Sequence, residues 1–101
     1  MTDLDRNLAI AEGWSPTFKI MGDPTRLKLL SAIHFAGQHK LTVSELAEAT
    51  GLRVATTSAA LRSMETARIV SCARDGRTMR YGIADDRVHR LLHEIGAGHS
   101  Y

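Results

Sequence analysis

The spacing of apolar and polar positions divides the chain into helical stretches and one pair of strands. Leu4, Leu8 and Ala11, with Ile10 beside them, form an amphipathic helical pattern that Gly13 is expected to stop. Ser15-Pro16 then opens a short segment whose apolar content is Phe18, Ile20 and Met21, closed by Gly22. Asp23-Pro24 is a helix start, because Asp accepts from free amides and Pro lacks an N–H that had no partner there anyway. From it, Leu27, Leu29, Leu30, Ile33 and His34 mark a buried face as far as Gly37. Leu41 to Val43 is read as one edge strand. Thr42 with Glu45 three residues on matches a capping box for a helix carrying Leu46 and Ala49, and Gly51 supplies a left-handed turn. A second helix, Val54 to Ala67, is expected to turn Val54, Leu61 and Met64 inward. Its other side then holds Arg53, Thr56, Thr57, Ala60, Arg62 and Ser63. Ile69-Val70 begins a β-branched run, Asp75-Gly76 is a strong hairpin signal, and Thr78 to Ile83 is the returning strand. Asp85 or Asp86 caps a last helix in which Val88, Leu91, Leu92 and Ile95 fall at i, i+3, i+4 and i+7, before Gly96 and Gly98 end it.

Two short helices joined by a glycine turn and followed by a basic hairpin make a winged helix-turn-helix, a device for reading DNA. The expected fold is therefore mainly α with a small β-hairpin wing. With 101 residues, one domain is expected over 1–101, with the helix-turn-helix at 42–67 and the wing at 69–83. No apolar run approaches the roughly 18 residues of a membrane span, and Asp3 and Asp5 interrupt any signal-peptide order, which points to a cytoplasmic protein with no membrane partner. Cys72 is the only cysteine, which excludes an internal disulfide and a cysteine-rich metal cage. It reads as a packing residue.

Charge changes the picture locally. Between Arg53 and Arg80 six arginines (53, 62, 68, 74, 77 and 80) stand against Glu65 and Asp75, whereas the remainder of the chain is net acidic. All the cations in that window are arginine, whose planar fork suits phosphate and guanine. The plain alternative is a solvated surface.

Asp23-Pro24-Thr25-Arg26-Leu27-Lys28-Leu29-Leu30, the Ser-Glu-Leu-Ala beginning at Ser44, the Gly51-Leu52 turn, the Ser-x-x-Leu-Arg ending at Arg62 and the Asp75-Gly76-Arg77 wing tip together resemble the ArsR/SmtB family of bacterial metalloregulatory repressors. The match runs from about Phe18 to Glu94. The resemblance implies a homodimer in which the first and last helices, 1–14 and 85–96, form the interface through Leu4, Leu8, Val88, Leu91, Leu92 and Ile95. It also implies that each fourth helix enters a major groove of an operator duplex. Arg53, Thr56, Thr57, Ser58 and Arg62 then offer donors to phosphates or base edges, Arg77 is placed for a minor groove, and Arg74, Thr78 and Arg80 hold the flanking backbone. Val54, Ala55 and Ala60 stand where the family often carries a Gln-Ser pair and a histidine, so DNA shape and phosphate contacts are expected to carry more of the recognition. Arg68 occupies a position where a helix-ending glycine is usual.

The family senses metals through cysteines of the third helix or an Asp/His set on the last. Ser44 to Thr50 contains no cysteine, and the family's Asp-x-His, ten residues, His-x-x-His pattern falls at Asp85, Arg87, Gly98 and Tyr101, leaving one ligand. A different set is offered by His89 and His93, with Asp86 three residues before His89. At about 100° per residue the three lie within roughly 60° of one another. Two imidazoles and a carboxylate suit a borderline divalent ion such as nickel or zinc, and His99 of the same or the partner chain completes the set. The alternative is a hydrated histidine pair beside an interface. His34 reads as a structural histidine and His39 as a loop residue. No cofactor is expected to be required for folding.

The expectation is a DNA-binding transcriptional regulator controlling a metal- or stress-responsive gene, its operator affinity coupled to a divalent metal or to a separate metal-sensing partner protein. The alternative is a winged-helix protein-interaction module that does not read DNA. An enzyme is not expected, since there is no glycine-rich phosphate loop and no nucleophile with an ordered base.

Overall fold

The structure is a computed structural model and describes residues 2–101. Five helices and three short strands follow one another as α1 (Asp3–Met21), α2 (Pro24–Ala36), β1 (Leu41–Thr42), α3 (Val43–Thr50), α4 (Val54–Thr66), β2 (Val70–Asp75), β3 (Thr78–Ile83) and α5 (Asp86–Glu94). The strands form one antiparallel sheet in the order β1-β3-β2. Leu41 pairs with Tyr81, and the hairpin runs from the Val70–Ile83 pair to the Asp75–Thr78 pair. Gly76, with φ 62°, and Arg77 make the two-residue turn. A positive φ at the first central residue alone is the II′ pattern, which matches the twist of the flanking strands.

Leu29, Leu30 and Ile33 of α2, Leu46 of α3, Leu61 and Met64 of α4, Val70 and Tyr81 of the sheet, and Val88 and Leu92 of α5 form one core. The caps expected from the sequence are present. Asp23 accepts from the Arg26 amide, Thr42 and Glu45 complete a reciprocal capping box, and Gly51 sits at φ 71°. Asp85, and not Asp86, is the cap of α5.

The first helix departs from expectation. It runs unbroken through Gly13 and Pro16, which local rules make a boundary. Its start is a capping box between Thr2 and Asp5. Its second half is held by the burial of Thr17 and Met21, by Trp14 stacked on Phe18 at 5.6 Å, and by the Arg87 guanidinium 4.7 Å from the Trp14 ring centroid. This packing outweighs the helix penalties of one glycine and one proline. The first half projects away from the body, leaving Leu4, Leu8 and Ile10 more than half exposed. The molecule is correspondingly elongated, 51 × 26 × 23 Å, with a radius of gyration of 14.8 Å against about 13 Å for a compact chain of this length.

Three inward or outward assignments also change. Val54 is 54% exposed, because α4 begins there, beyond the reach of the core. Val88 and Leu92 are fully buried in their own subunit, so they are not free to form a dimer interface, and only Leu91 and Ile95 of that stripe reach the surface. The i, i+3, i+4, i+7 stripe is therefore divided, two of its positions facing the core and two the surface.

Candidate nucleic-acid interface and metal centre

The outer side of α4 and the hairpin form one basic surface. Arg53, Thr56 and Arg62 of the α4 region and Arg74 and Arg77 of the hairpin are exposed, while Ser58, Thr78 and Arg80 are half-buried. Arg26 of α2 donates to Ser63 Oγ at 3.2 Å and so ties α4 to the body. None of the six arginines between Arg53 and Arg80 lies within ion-pair distance of a carboxylate among the described residues, where the ion pairs are Arg6–Asp3 and Arg87–Asp85. A cluster of cations left unneutralised by the protein's own acids is suited to a polyanion. Thr57, expected on this surface, does not belong to it. Its side chain is fully buried and its hydroxyl donates to the Arg53 carbonyl at 2.9 Å, one turn back. Thr57 lies four residues before Leu61, and that spacing puts it on the core face.

The surface is held by a strained joint. After α4 the amide of Arg68 bonds to the Glu65 carbonyl and that of Ile69 to Met64, the paired bonds of a Schellman stop. The stop requires a left-handed residue, and Arg68 supplies it at φ 61°. A β-carbon is unfavourable in that region, so this position stores strain where glycine would store none.

A second cluster lies where α2, α5 and the C-terminal segment meet. His34, His89, His93 and His99 bring one ring nitrogen each to within 4.8 Å of all the others. His93 Nε2 is the hub, 3.0 Å from His89 Nε2, 3.1 Å from His99 Nε2 and 3.3 Å from His34 Nε2. A ring nitrogen carries either one hydrogen or one lone pair. Hydrogen bonding therefore accounts for one of these three approaches and not for all. Four nitrogens around a tetrahedral ion at roughly 2.0–2.1 Å would stand about 3.3–3.4 Å apart, close to the spacing around His93.

His99 Nδ1 lies 3.0 Å from the His34 carbonyl oxygen. A carbonyl only accepts, so Nδ1 carries the hydrogen and Nε2 presents its lone pair to the cluster, the arrangement that orients a metal-bound imidazole. Burial, then the neighbouring His99, His89 and His93, holds His34 below the usual histidine range, with only the Gly98 backbone opposing. The neutral form is the ligand form. His34 Nδ1, buried, has no hydrogen-bond partner of ordinary geometry.

Three of these four histidines are the ones expected from the sequence, whereas His34, expected to be structural, joins them and Asp86 does not. Asp86 is exposed at the first turn of α5 and is not in the cluster. His34 lies four residues after Leu30 on the face of α2 that meets α5, and that spacing is its only signal in sequence. His39 stands apart, with Nε2 3.0 Å from Ser71 Oγ, and Cys72 is a free, half-buried thiol.

A sequence model of the MarR family matches residues 23–78. A curated relative, the transcriptional repressor SmtB homolog of Synechocystis, is 33% identical over 85 residues that cover 84% of this chain and 62% of the relative. The chain belongs to the MarR family and is of the ArsR/SmtB type. Among solved structures, the antimony-specific transcriptional repressor AntR is 35% identical with a TM-score of 0.76, over 87% of this chain and 77% of that one. A homodimeric winged helix-turn-helix DNA-binding domain from Mycobacterium bovis is 26% identical with a TM-score of 0.72, over 94% and 83% of the two chains. The chain spans 55–62% of the length of the curated relatives it matches. Among the described residues no helix is long and apolar enough to cross a membrane.

Proposed function

We propose that this ArsR/SmtB-type chain is a DNA-binding transcriptional regulator that acts as a homodimer and whose operator affinity responds to a divalent metal ion such as zinc or nickel. The observation that carries the DNA reading is the set of exposed, unpaired arginines along α4 and the wing. Arg53, Thr56, Ser58 and Arg62 address the major groove and its phosphates. Arg77 at the tip of the II′ turn addresses a minor groove, with Arg74, Thr78 and Arg80 on the adjacent backbone. Thr57 contributes to the fit of α4 and not to contact.

The homodimer reading rests on α1 and α5. Leu4, Leu8, Phe18 and Ile95 are each more than half exposed, and Phe18, Met21, Leu27, Leu91 and Ile95 line one apolar groove between α1, α2 and α5. A second copy presenting the same stripe covers both, and the homodimeric Mycobacterium bovis relative supports that occupant. Sensing by a separate partner protein is the competing source of the signal, and a cluster of four convergent histidines favours sensing by the chain itself.

The test is binding of the purified protein to duplex fragments selected from genomic DNA, over a range of salt, with and without Zn(II) or Ni(II). A steep fall of affinity with salt and a change of tenfold or more on adding metal support the reading. Flat salt dependence would favour the protein-interaction module, and unchanged affinity with metal would assign sensing elsewhere.

A further inference from the structure

We infer that the four histidines constitute one four-coordinate site for a zinc-class divalent ion lying wholly within a single subunit, and that filling it fastens the C-terminal segment 96–101 across the end of α2. The assignment deepens the metal-responsive reading above and rests on it only for the effect on DNA.

The ligands come from three places that the fold alone assembles. His34 is in the last turn of α2, His89 and His93 are on successive turns of α5, and His99 is in the segment after it. The segment is aimed there by backbone. Gly96, at φ 92°, donates to the His93 carbonyl and Ala97 to Leu92, a Schellman stop that reverses the chain toward α2. The amide and the hydroxyl of Ser100 both donate to the Phe35 carbonyl, at 2.9 and 2.8 Å, and His99 donates to the His34 carbonyl. These oxygens are among the last carbonyls of α2, which lack helical partners. The Tyr101 ring covers Gly37, where a β-carbon would stand 3.2 Å from it. The segment thus has a built seat, and three of the four imidazoles, on α2 and α5, are in place without it. His99 is the ligand that joins the segment to the body.

Four imidazoles with no carboxylate or thiolate suit a borderline ion. The spacing around His93 approaches a tetrahedral edge, which favours zinc or cobalt over nickel's square or octahedral preference. All four ligands belong to one chain, so one ion per subunit is expected. The seat also touches the wing. Gln38, next to Gly37, clamps β3 by donating from Nε2 to the Ile83 carbonyl and accepting from the Ile83 amide at Oε1, both at 2.6 Å. Pinning 96–101 over Gly37 therefore stiffens a joint that holds the hairpin strand leading directly into α5.

The experiment is titration of the full chain with Zn(II) against a chromophoric chelator, with Co(II) absorption as the reporter of geometry and hydrogen exchange as the reporter of the segment. One ion per subunit is expected, with a tetrahedral Co(II) spectrum and protection of residues 97–101 on loading. H99A and H34A are each expected to lose at least tenfold in Zn(II) affinity, and H99A to lose the protection, while H39A and D86A match the parent. H99A removes an exposed-segment ligand without opening the core, so it keeps the test decisive if H34A folds poorly. Half an ion per subunit, an octahedral spectrum, unaltered affinity in H99A, or no Zn(II) binding would each overturn the site. If Zn(II) binds as expected and DNA affinity stays unchanged, the site stands and the effector reading fails. If H99A shifts DNA affinity at the same Zn(II) concentration as the parent, the effector reading stands and this site fails.

Discussion

The helix-turn-helix and wing occupy one unbroken stretch, Thr42 to Ile83, whereas the histidine corner collects side chains from positions 34, 89, 93 and 99. In the first region each element carries its own signal: a capping box at Thr42 and Glu45, a left-handed Gly51, an Asp-Gly hairpin. In the second, no pair except His89 and His93 is related by a local rule. The difference lies in how each kind of site can be altered. A basic surface made of independent arginines loses affinity in steps, while a closed ligand set fails when one member is removed.

The largest effect is expected where both regions share a foundation. Leu92 is fully buried in the one core that also takes in Leu61 and Met64 of α4 and Val70 and Tyr81 of the sheet, so Leu92→Ala should cost about 2–5 kcal/mol of stability in denaturant unfolding. That is a large part of the roughly 5–15 kcal/mol typical of a domain. The neighbouring Ile95→Ala should cost far less, because Ile95 is 62% exposed, and should show instead as weaker association in sedimentation. An equal loss from both would return Leu92 to the subunit interface.

Next comes a separation of the two regions. Replacing Arg62 and Arg77 together by Ala should weaken DNA binding about 10–100-fold and lower the salt slope by about one per arginine. Zn(II) affinity should remain that of the parent, and a matching loss there would show that the two regions are not independent.

A smaller effect, of opposite sign, is expected at the joint after α4. Arg68→Gly should raise stability by about 0.5–1 kcal/mol, the relief of a left-handed β-carbon less the added entropy of the unfolded chain. A loss of stability in thermal unfolding would mean that the Arg68 side chain makes up for its strain.

The smallest concerns the start of α5. Partial burial pushes the Asp85 carboxyl up, but hydrogen bonds from the Arg87 side chain and from the Arg87 and Val88 amides outweigh it and hold it below the usual carboxylate range. A lowered folded pKa contributes stability that is present at neutral pH and is lost as the pH falls through the acid range. Asp85→Asn keeps the cap but not the charge, so it should cost about 0.5–1 kcal/mol at pH 7 and flatten the acid limb of the stability profile. An unchanged acid limb would remove Asp85 from that role.

Much of the fold is legible in the residues themselves, because its signals are local. Asp23-Pro24, Thr42 with Glu45, Gly51 and Asp75-Gly76 each act on backbone within a few residues, and the backbone follows them. The first helix is not legible this way. Gly13 and Pro16 are breakers by local rule, and only the burial of Thr17 and Met21 and the Arg87–Trp14–Phe18 stack carry the helix through. Thr57 shows the same limit on a finer scale, since one helical position decides whether a hydroxyl meets solvent or its own backbone.

By itself, then, the order of residues determined a winged helix-turn-helix, its arginine-rich face and a histidine pair one turn apart on the last helix. These depend on periodicity, capping and charge, which act over a few positions. Tertiary structure alone decided that Val88 and Leu92 face inward while Leu91 and Ile95 face outward. It also brought His34 to the expected His89, His93 and His99 in place of Asp86. Which face of a helix is covered, and which distant side chains share a corner, depends on how the elements pack, and packing is a property of the whole chain.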